Sequence, residues 1–287
     1  MRLITIVTDL ENPFFRRLLV PSCGAVGLEL TVLHSRKQRF RYADKRVILT
    51  DYLSRAPADE LIMFTDAYDV LFVRGEEYIE HAYSSFAQRV VFSAELNSWP
   101  LGVVGFALHK NPPIGRYPYL NSGGLIGSAR DLADLLRKYP EPPSGQFELL
   151  SRLSSHGYDV DEHFRFSDQY YWTLVQHLEP DWIGIDHDAT IFECYGPPIP
   201  IVVAREVIRN VQNFREHGRN AEVYKNEYTR LAVELEEPSR AAQLHFAGDP
   251  TKSVILDLLD EGKLPEWVGT ALAAQPSFEN VVRVEEI

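Results

Sequence analysis

Leu61-Ile62-Met63-Phe64-Thr65-Asp66-Ala67-Tyr68-Asp69-Val70-Leu71-Phe72 is the stretch on which the fold turns. An apolar run, Leu61 to Phe64, stops at two carboxylates three positions apart, and a second apolar run, Val70 to Phe72, follows at once. An apolar run of this length bounded by turn-like polar residues reads as a fully buried strand. Open α/β sheets gather their ligands at the carboxyl ends of such strands. Two carboxylates there repel each other unless a cation lies between them. Oxygen ligands at this spacing suit Mg²⁺ or Mn²⁺, which share their remaining positions with substrate phosphates. A strand end with two solvated acids is the alternative that this stretch alone leaves open.

Outward from it, strand-like runs at 3–8, 28–33, 60–65 and 89–93 alternate with helical spacing at 43–55 and 76–88. That alternation predicts βαβ units and a mostly parallel sheet. Residues 101–118 carry Pro112, Pro113, Gly115 and Pro118 and read as a long surface loop, a candidate lid. A short glycine-rich strand or turn is expected from Asn121 to Gly127, then helices near 129–139, 146–156 and 168–178. Short strands are expected at 182–185, 189–194 and 241–246, and the charged segment 213–240 reads as a surface excursion. From about 268 on no strong pattern remains, so the division is one domain over 1–265 and a C-terminal tail over 266–287.

Composition narrows the class. The 287 residues are 45% apolar and 24% charged, as in ordinary globular proteins, with no apolar run long enough for a membrane span. A net charge of −12 argues against a nucleic-acid partner. It leaves room for a phosphorylated small molecule, because a bound cation and local lysines reset the field at a site. The first residues, Met1 to Thr8, are too short and too quickly polar for a signal peptide. Cys23 and Cys194 are the only thiols, so neither a disulfide framework nor a zinc site is expected, and a cytoplasmic location is.

Five stretches in order then align with one family: 64–72 (FTDAYDVLF), 91–100 (VFSAELNSWP), 119–127 (YLNSGGLIG), 167–173 (SDQYYWT) with 185–192 (IDHDATIF), and 244–252 (LHFAGDPTK). Their order and wording resemble the glycosyltransferase domain of the collagen lysyl hydroxylases, the PLOD or procollagen glycosyltransferase family. The resemblance covers roughly 1–260. It implies an α/β GT-A fold, a Rossmann-like sandwich that binds a nucleotide sugar with Mn²⁺. The hydroxylase half of those proteins lies outside this chain, so collagen modification is not carried over with the fold.

The resemblance also assigns residues. Asp66, Asp69 and His245 match the metal ligands, and an imidazole favours Mn²⁺ over Mg²⁺. Gly248 and Lys252 would face the phosphates, although Ala247 replaces an asparagine of the family pattern and Asp249 is one residue extra. Thr8, Lys45 and Tyr68 fall where the nucleoside lies, and Trp99 and the run Asn121, Ser122, Gly123 fall near the sugar. Asp168 and Gln169 match an acidic–amide pair at the reacting sugar, with Ser167 in place of a further acid. Glu95 follows a buried strand beside them and joins Asp168 and Gln169 as a candidate catalytic residue. Asp186, His187 and Asp188 alternate in facing and read as structural.

The expectation is a Mn²⁺- or Mg²⁺-dependent enzyme moving glucose or galactose from a UDP-sugar to a hydroxyl acceptor: a peptide, a glycan or a small molecule. Retention of configuration is implied by analogy. A phosphohydrolase and a non-catalytic nucleotide-sugar-binding module are the rival readings.

Overall fold

Apolar residues dominate positions 3–7, 30–33 and 61–64, broken only by Thr5 and Thr31, and these runs become three adjacent parallel strands. The computed structural model describes residues 1–287 except 38, 110–114, 199–203 and 274–275, and of 204–208 only the backbone. In the first half β1 (Arg2–Val7), α1 (Val20–Ala25), β2 (Leu30–His34), α2 (Tyr42–Arg55) and β3 (Leu61–Thr65) form the βαβ units. They are followed by β4 (Val70–Phe72), α3 (Glu76–Tyr83), β5 (Val90–Glu95), α4 (Val103–Leu108) and β6 (Tyr119–Ser128). Next come α5 (Ala129–Lys138), α6 (Glu148–Ser155), α7 (Val160–Phe164), α8 (Asp168–Leu178), β7 (Ile183–Ile185) and β8 (Phe192–Tyr195). The remainder is α9 (Ala204–His217), α10 (Glu222–Glu234), β9 (Gln243–Phe246), α11 (Asp249–Asp260), α12 (Glu266–Ala273), α13 (Phe278–Val281) and β10 (Val282–Glu286).

Seven strands make the central sheet in the order β10-β2-β1-β3-β6-β5-β7, and β4-β9-β8 make a small second sheet. The central sheet is buried on both faces, which is why its strands read as continuous apolar runs. Leu3, Val7, Leu30, Val32 and Met63 pack on one side with Phe15, Leu19, Cys23 and Ile79. Ile4, Ile6, Leu33, Ile62 and Phe64 pack on the other with Ile48, Leu49, Leu132, Leu135 and Trp172. Each such side chain contributes roughly 1.5–3 kcal/mol of burial.

The central sheet is mostly parallel as expected, with β6 running antiparallel to both β3 and β5. Three features differ from the sequence reading. The candidate lid at 101–118 contains α4, and its residues 110–114 lie outside the described residues. The segment 213–240 holds the end of α9 and all of α10, whose Tyr224, Glu227 and Leu231 recur at helical spacing and are buried. Residues 266–287, read as a tail, hold two helices and β10, and β10 pairs in parallel with β2 from Val282 opposite Leu30 to Glu286 opposite His34. A five-residue strand with three charged side chains gives no apolar signal, since it only caps an edge. No helix among the described residues is long and apolar enough to cross a membrane.

Candidate metal and donor site

The turn between β3 and β4 is clamped from both sides. Asp66 N–H donates to the Gly123 carbonyl of β6 at 3.0 Å, and Phe246 N–H of β9 donates to the Asp69 carbonyl at 2.7 Å. The small sheet pairs Val70 with His245 and His245 with Cys194. Asp66, Asp69 and His245 are thereby brought together from opposite ends of the chain, with one ligand atom of each lying within 4.8 Å of the others. His245 Nε2 is 3.5 Å from Asp69 Oδ1. Ligands held about 2.1 Å from a shared octahedral ion lie roughly 3–4 Å apart, and the 3.5 Å between His245 and Asp69 fits. Two carboxylates and an imidazole also form a donor set suited to Mn²⁺.

Cations already balance the acids. Lys45 Nζ meets Asp66 Oδ1 at 2.5 Å in a nearly buried pair, and Lys252 Nζ meets Asp249 at 2.9 Å. Burial works against the charge on Asp69, but His245, Lys252 and Lys45 outweigh it and hold the carboxyl below its ordinary range. Burial likewise works against an imidazolium at His245, yet the Asp69 carboxylate carries the ring well above its ordinary value. Burial is overcome in the same way at Lys252, which Asp69 and Asp249 raise.

Gly123 explains how His245 fits. A Cβ there would lie 2.4 Å from His245 Cε1 and 2.7 Å from Nδ1, so only glycine lets strand and ring approach so closely. Gly248 starts α11 at φ +96°, a left-handed conformation that turns the chain from β9 towards Lys252.

Around this centre the expected residues fall into three groups. Tyr68, between the acids, turns its hydroxyl back to the end of β1, where it accepts the N–H groups of Thr8 and Asp9, both at 2.9 Å. Asn121, Glu95 and Gln169 form one buried network. Asn121 Nδ2 donates to Glu95 Oε1 at 3.0 Å, and Gln169 Nε2 donates to the same oxygen at 2.7 Å and to the Trp99 carbonyl at 2.9 Å. Gln169 Oε1 accepts from Ser122 N–H at 3.3 Å, while the Trp99 ring meets Phe166 edge-on at 6.1 Å between centroids. Burial raises Glu95 above the usual carboxylate range against its amide partners. Asp168 stands apart at the first turn of α8, with Oδ1 buried, 4.0 Å from Arg46 Nη1 and without a hydrogen bond. Burial pushes its carboxyl up to about 6 against the pull of Lys45 and Arg46.

Glu95 and Gln169 were expected among the reacting groups. In the structure both amide hydrogens of Gln169 are committed to protein acceptors, and Glu95 is 7% exposed beneath them. The Ser167 side chain makes no capping bond to α8. Asp186 is structural, accepting the N–H groups of Thr190, Ile191 and Phe192 at 2.9, 2.6 and 2.9 Å. Two neighbours escaped the sequence reading. Arg46 lies with its guanidinium 4.3 Å over the Tyr171 ring, and its only signal was its place beside Lys45. Cys194 places its sulfur 3.8 Å from His245 Nδ1, a proximity visible only once β8 and β9 are paired.

Residues 27–144 match the family model described as the PLOD GT domain. This part of the chain is similar to a PLOD-type glycosyltransferase domain. The chain is 29% identical over 178 residues to procollagen-lysine,2-oxoglutarate 5-dioxygenase 1 of Rattus norvegicus, covering 60% of this chain and 19% of that protein. It is 30% identical over 187 residues to the multifunctional procollagen lysine hydroxylase and glycosyltransferase LH3 of Homo sapiens, covering 61% of this chain and 20% of that protein. The chain thus spans about a fifth of the length of these relatives. Among solved structures, the apo-form glycosyltransferase GlyE of Streptococcus pneumoniae TIGR4 aligns with a TM-score of 0.43 at 9% identity, over 94% of this chain and 62% of that one. A glycosyltransferase involved in glycosylation of the PBCV-1 major capsid aligns with a TM-score of 0.39 at 10% identity, over 89% and 97%. The domain has the α/β organisation that the resemblance implied, with the parallel β1–β3 half presenting Asp66 at its carboxyl edge.

Proposed function

We propose that this chain is a metal-dependent glycosyltransferase that moves a hexose, glucose or galactose, from a UDP-sugar to a hydroxyl acceptor. The convergence of Asp66, Asp69 and His245 on one point carries the reading. The match of residues 27–144 to the PLOD GT domain supports the reaction class. The nature of the hexose and retention of configuration rest on the resemblance alone.

Asp66, Asp69 and His245 would hold Mn²⁺ or Mg²⁺, which when bound supplies Lewis-acid stabilisation to a departing diphosphate. The chain's own groups do the rest. Lys252, partly buried beside Asp69, adds a fixed positive charge at the phosphate side. Gly248, exposed at the start of α11, leaves room for a phosphate to approach the backbone. Thr8 and Tyr68 close the nucleoside side at the end of β1. Lys45 holds and orients the Asp66 carboxylate through their ion pair. Asp168 has a buried oxygen with no protein hydrogen bond, which suits it to accept a sugar hydroxyl. Ser122 and Gly123 line the floor on β6, and Trp99 walls the sugar side. Glu95 and Gln169 act through Asn121, Ser122 and Trp99 as positioning residues.

The test is UDP release from a panel of nucleotide sugars with and without Mn²⁺, for the wild type and Asp69→Ala. The expected outcome is turnover of UDP-glucose or UDP-galactose that needs the ion and disappears in the folded variant. Full turnover by Asp69→Ala in the presence of a chelator would sink the proposal.

A further inference from the structure

Asn121 commits three of its four hydrogen-bonding positions inside the protein. It is 4% exposed. Its Oδ1 accepts Gly123 N–H at 2.8 Å and lies 3.1 Å from His245 Nδ1, while Nδ2 donates to Glu95 Oε1 at 3.0 Å. The orientation of the amide is settled by these neighbours, since a backbone N–H requires the oxygen and a carboxylate requires the NH₂. An amide oxygen has no hydrogen to give. The contact with Nδ1 is therefore a hydrogen bond only when Nδ1 carries the proton, and in the neutral ring, the form that ligates a metal, this puts the lone pair on Nε2, on the side of Asp69. Cys194, at 3.8 Å from the same nitrogen, is the weaker partner. The polarity extends further: Gln169 donates to both Glu95 and the Trp99 carbonyl, so Glu95 receives from two amides and cannot turn Asn121 round.

We propose that Asn121 is a positioning residue that fixes the tautomer and the plane of His245 so that Nε2 is presented to a divalent cation, with Glu95 and Gln169 locking Asn121 in that role. This rests on the metal-dependent reading above and removes Asn121 from the groups that touch the sugar. Partners of this kind commonly alter metal affinity 10–100-fold when lost.

Mn²⁺ affinity is measured by titration calorimetry without any donor, with cooperative thermal unfolding as the check of folding. Asn121→Leu removes the acceptor and should weaken binding about 10–100-fold. Asn121→Leu that folds and binds like wild type overturns the proposal. If Asn121→Leu does not fold, the ¹⁵N NMR measurement below decides alone. If the wild type takes up no Mn²⁺, the metal reading fails on its own. The tautomer claim is then decided by ¹⁵N NMR of His245 in wild type at a pH where the ring is neutral, with Nδ1 protonated as the expected result and Nε2 protonated as the overturning one.

Discussion

Replacing Gly123 by alanine tests the site through a single methyl group. The added Cβ would lie 2.4 Å from His245 Cε1 and 2.7 Å from Nδ1. Carbon atoms rest at about 3.5 Å, so the ring must retreat by about 1 Å. It has little space for that: His245 is 4% exposed, with Cys194 Sγ at 3.8 Å and Asn121 Oδ1 at 3.1 Å. Metal–ligand distances tolerate only about 0.2 Å, so Nε2 leaves the cluster. Loss of an aligned ligand of this kind is expected to weaken Mn²⁺ binding at least 10–100-fold, and the overpacking costs about 1–3 kcal/mol of stability. Gly127→Ala is the matched control. On the same strand its Cβ would meet Val90 Cγ2 at 2.8 Å and the Arg89 carbonyl at 3.0 Å, away from the acids. Calorimetric titration with Mn²⁺ and chemical unfolding of both variants separate the two effects. A folded Gly123→Ala protein with wild-type Mn²⁺ affinity, or a Gly127→Ala protein that loses affinity equally, would refute the reasoning.

Asp168→Asn should change how stability depends on pH. The Asp168 carboxyl titrates near 6 in the fold and near 3.9 when unfolded, so its stabilising proton is fully bound below pH 4 and is lost as pH rises through 6. The variant is therefore expected to be more stable than wild type by up to about 3 kcal/mol at pH 7.5 and to match it near pH 4; equal stabilities at both pH values in denaturant melts would contradict this. Lys45→Met removes the counter-cation 2.5 Å from Asp66, and breaking such a pair costs about 3–5 kcal/mol. Part of that loss should return when Mn²⁺ is added, so the thermal shift on adding the ion should exceed that of wild type; an unchanged melting temperature without metal would dispose of the idea.

The first half of the fold was legible because its strands are buried on both faces and its helices pack on both sides. That arrangement produces unbroken apolar runs at β1–β3 and helical spacing in α2. The acids at the end of β3 were legible for the same reason, since polar residues stand out after a buried run. The sense of β6 was not, because the side chains of a strand alternate identically in either direction. Helix α4 was hidden by the prolines and glycines that surround it, and α10 by charges on its solvent face. In the site, sequence supplied residue types but not their partners. Gln169 was expected at the reacting sugar because it matches the family's acidic–amide pair, and the structure commits its amide hydrogens to Glu95 and Trp99. Lys45, an ordinary lysine on a helix, became informative only when its ammonium was found against Asp66.

The parallel pairing of β10 with β2 also bears on how the chain reaches its fold. Val282 to Glu286 lie opposite Leu30 to His34, so that ladder joins segments about 250 residues apart. Ordering so long an intervening segment costs entropy before the contact returns anything, which places this step among the slow ones. During synthesis the N-terminal units emerge first, and the outer backbone edge of β2 stays unpaired until residues 282–286 have been added. For that interval the nascent domain presents an open β edge to its surroundings, the period in which it is most exposed to pairing with another chain.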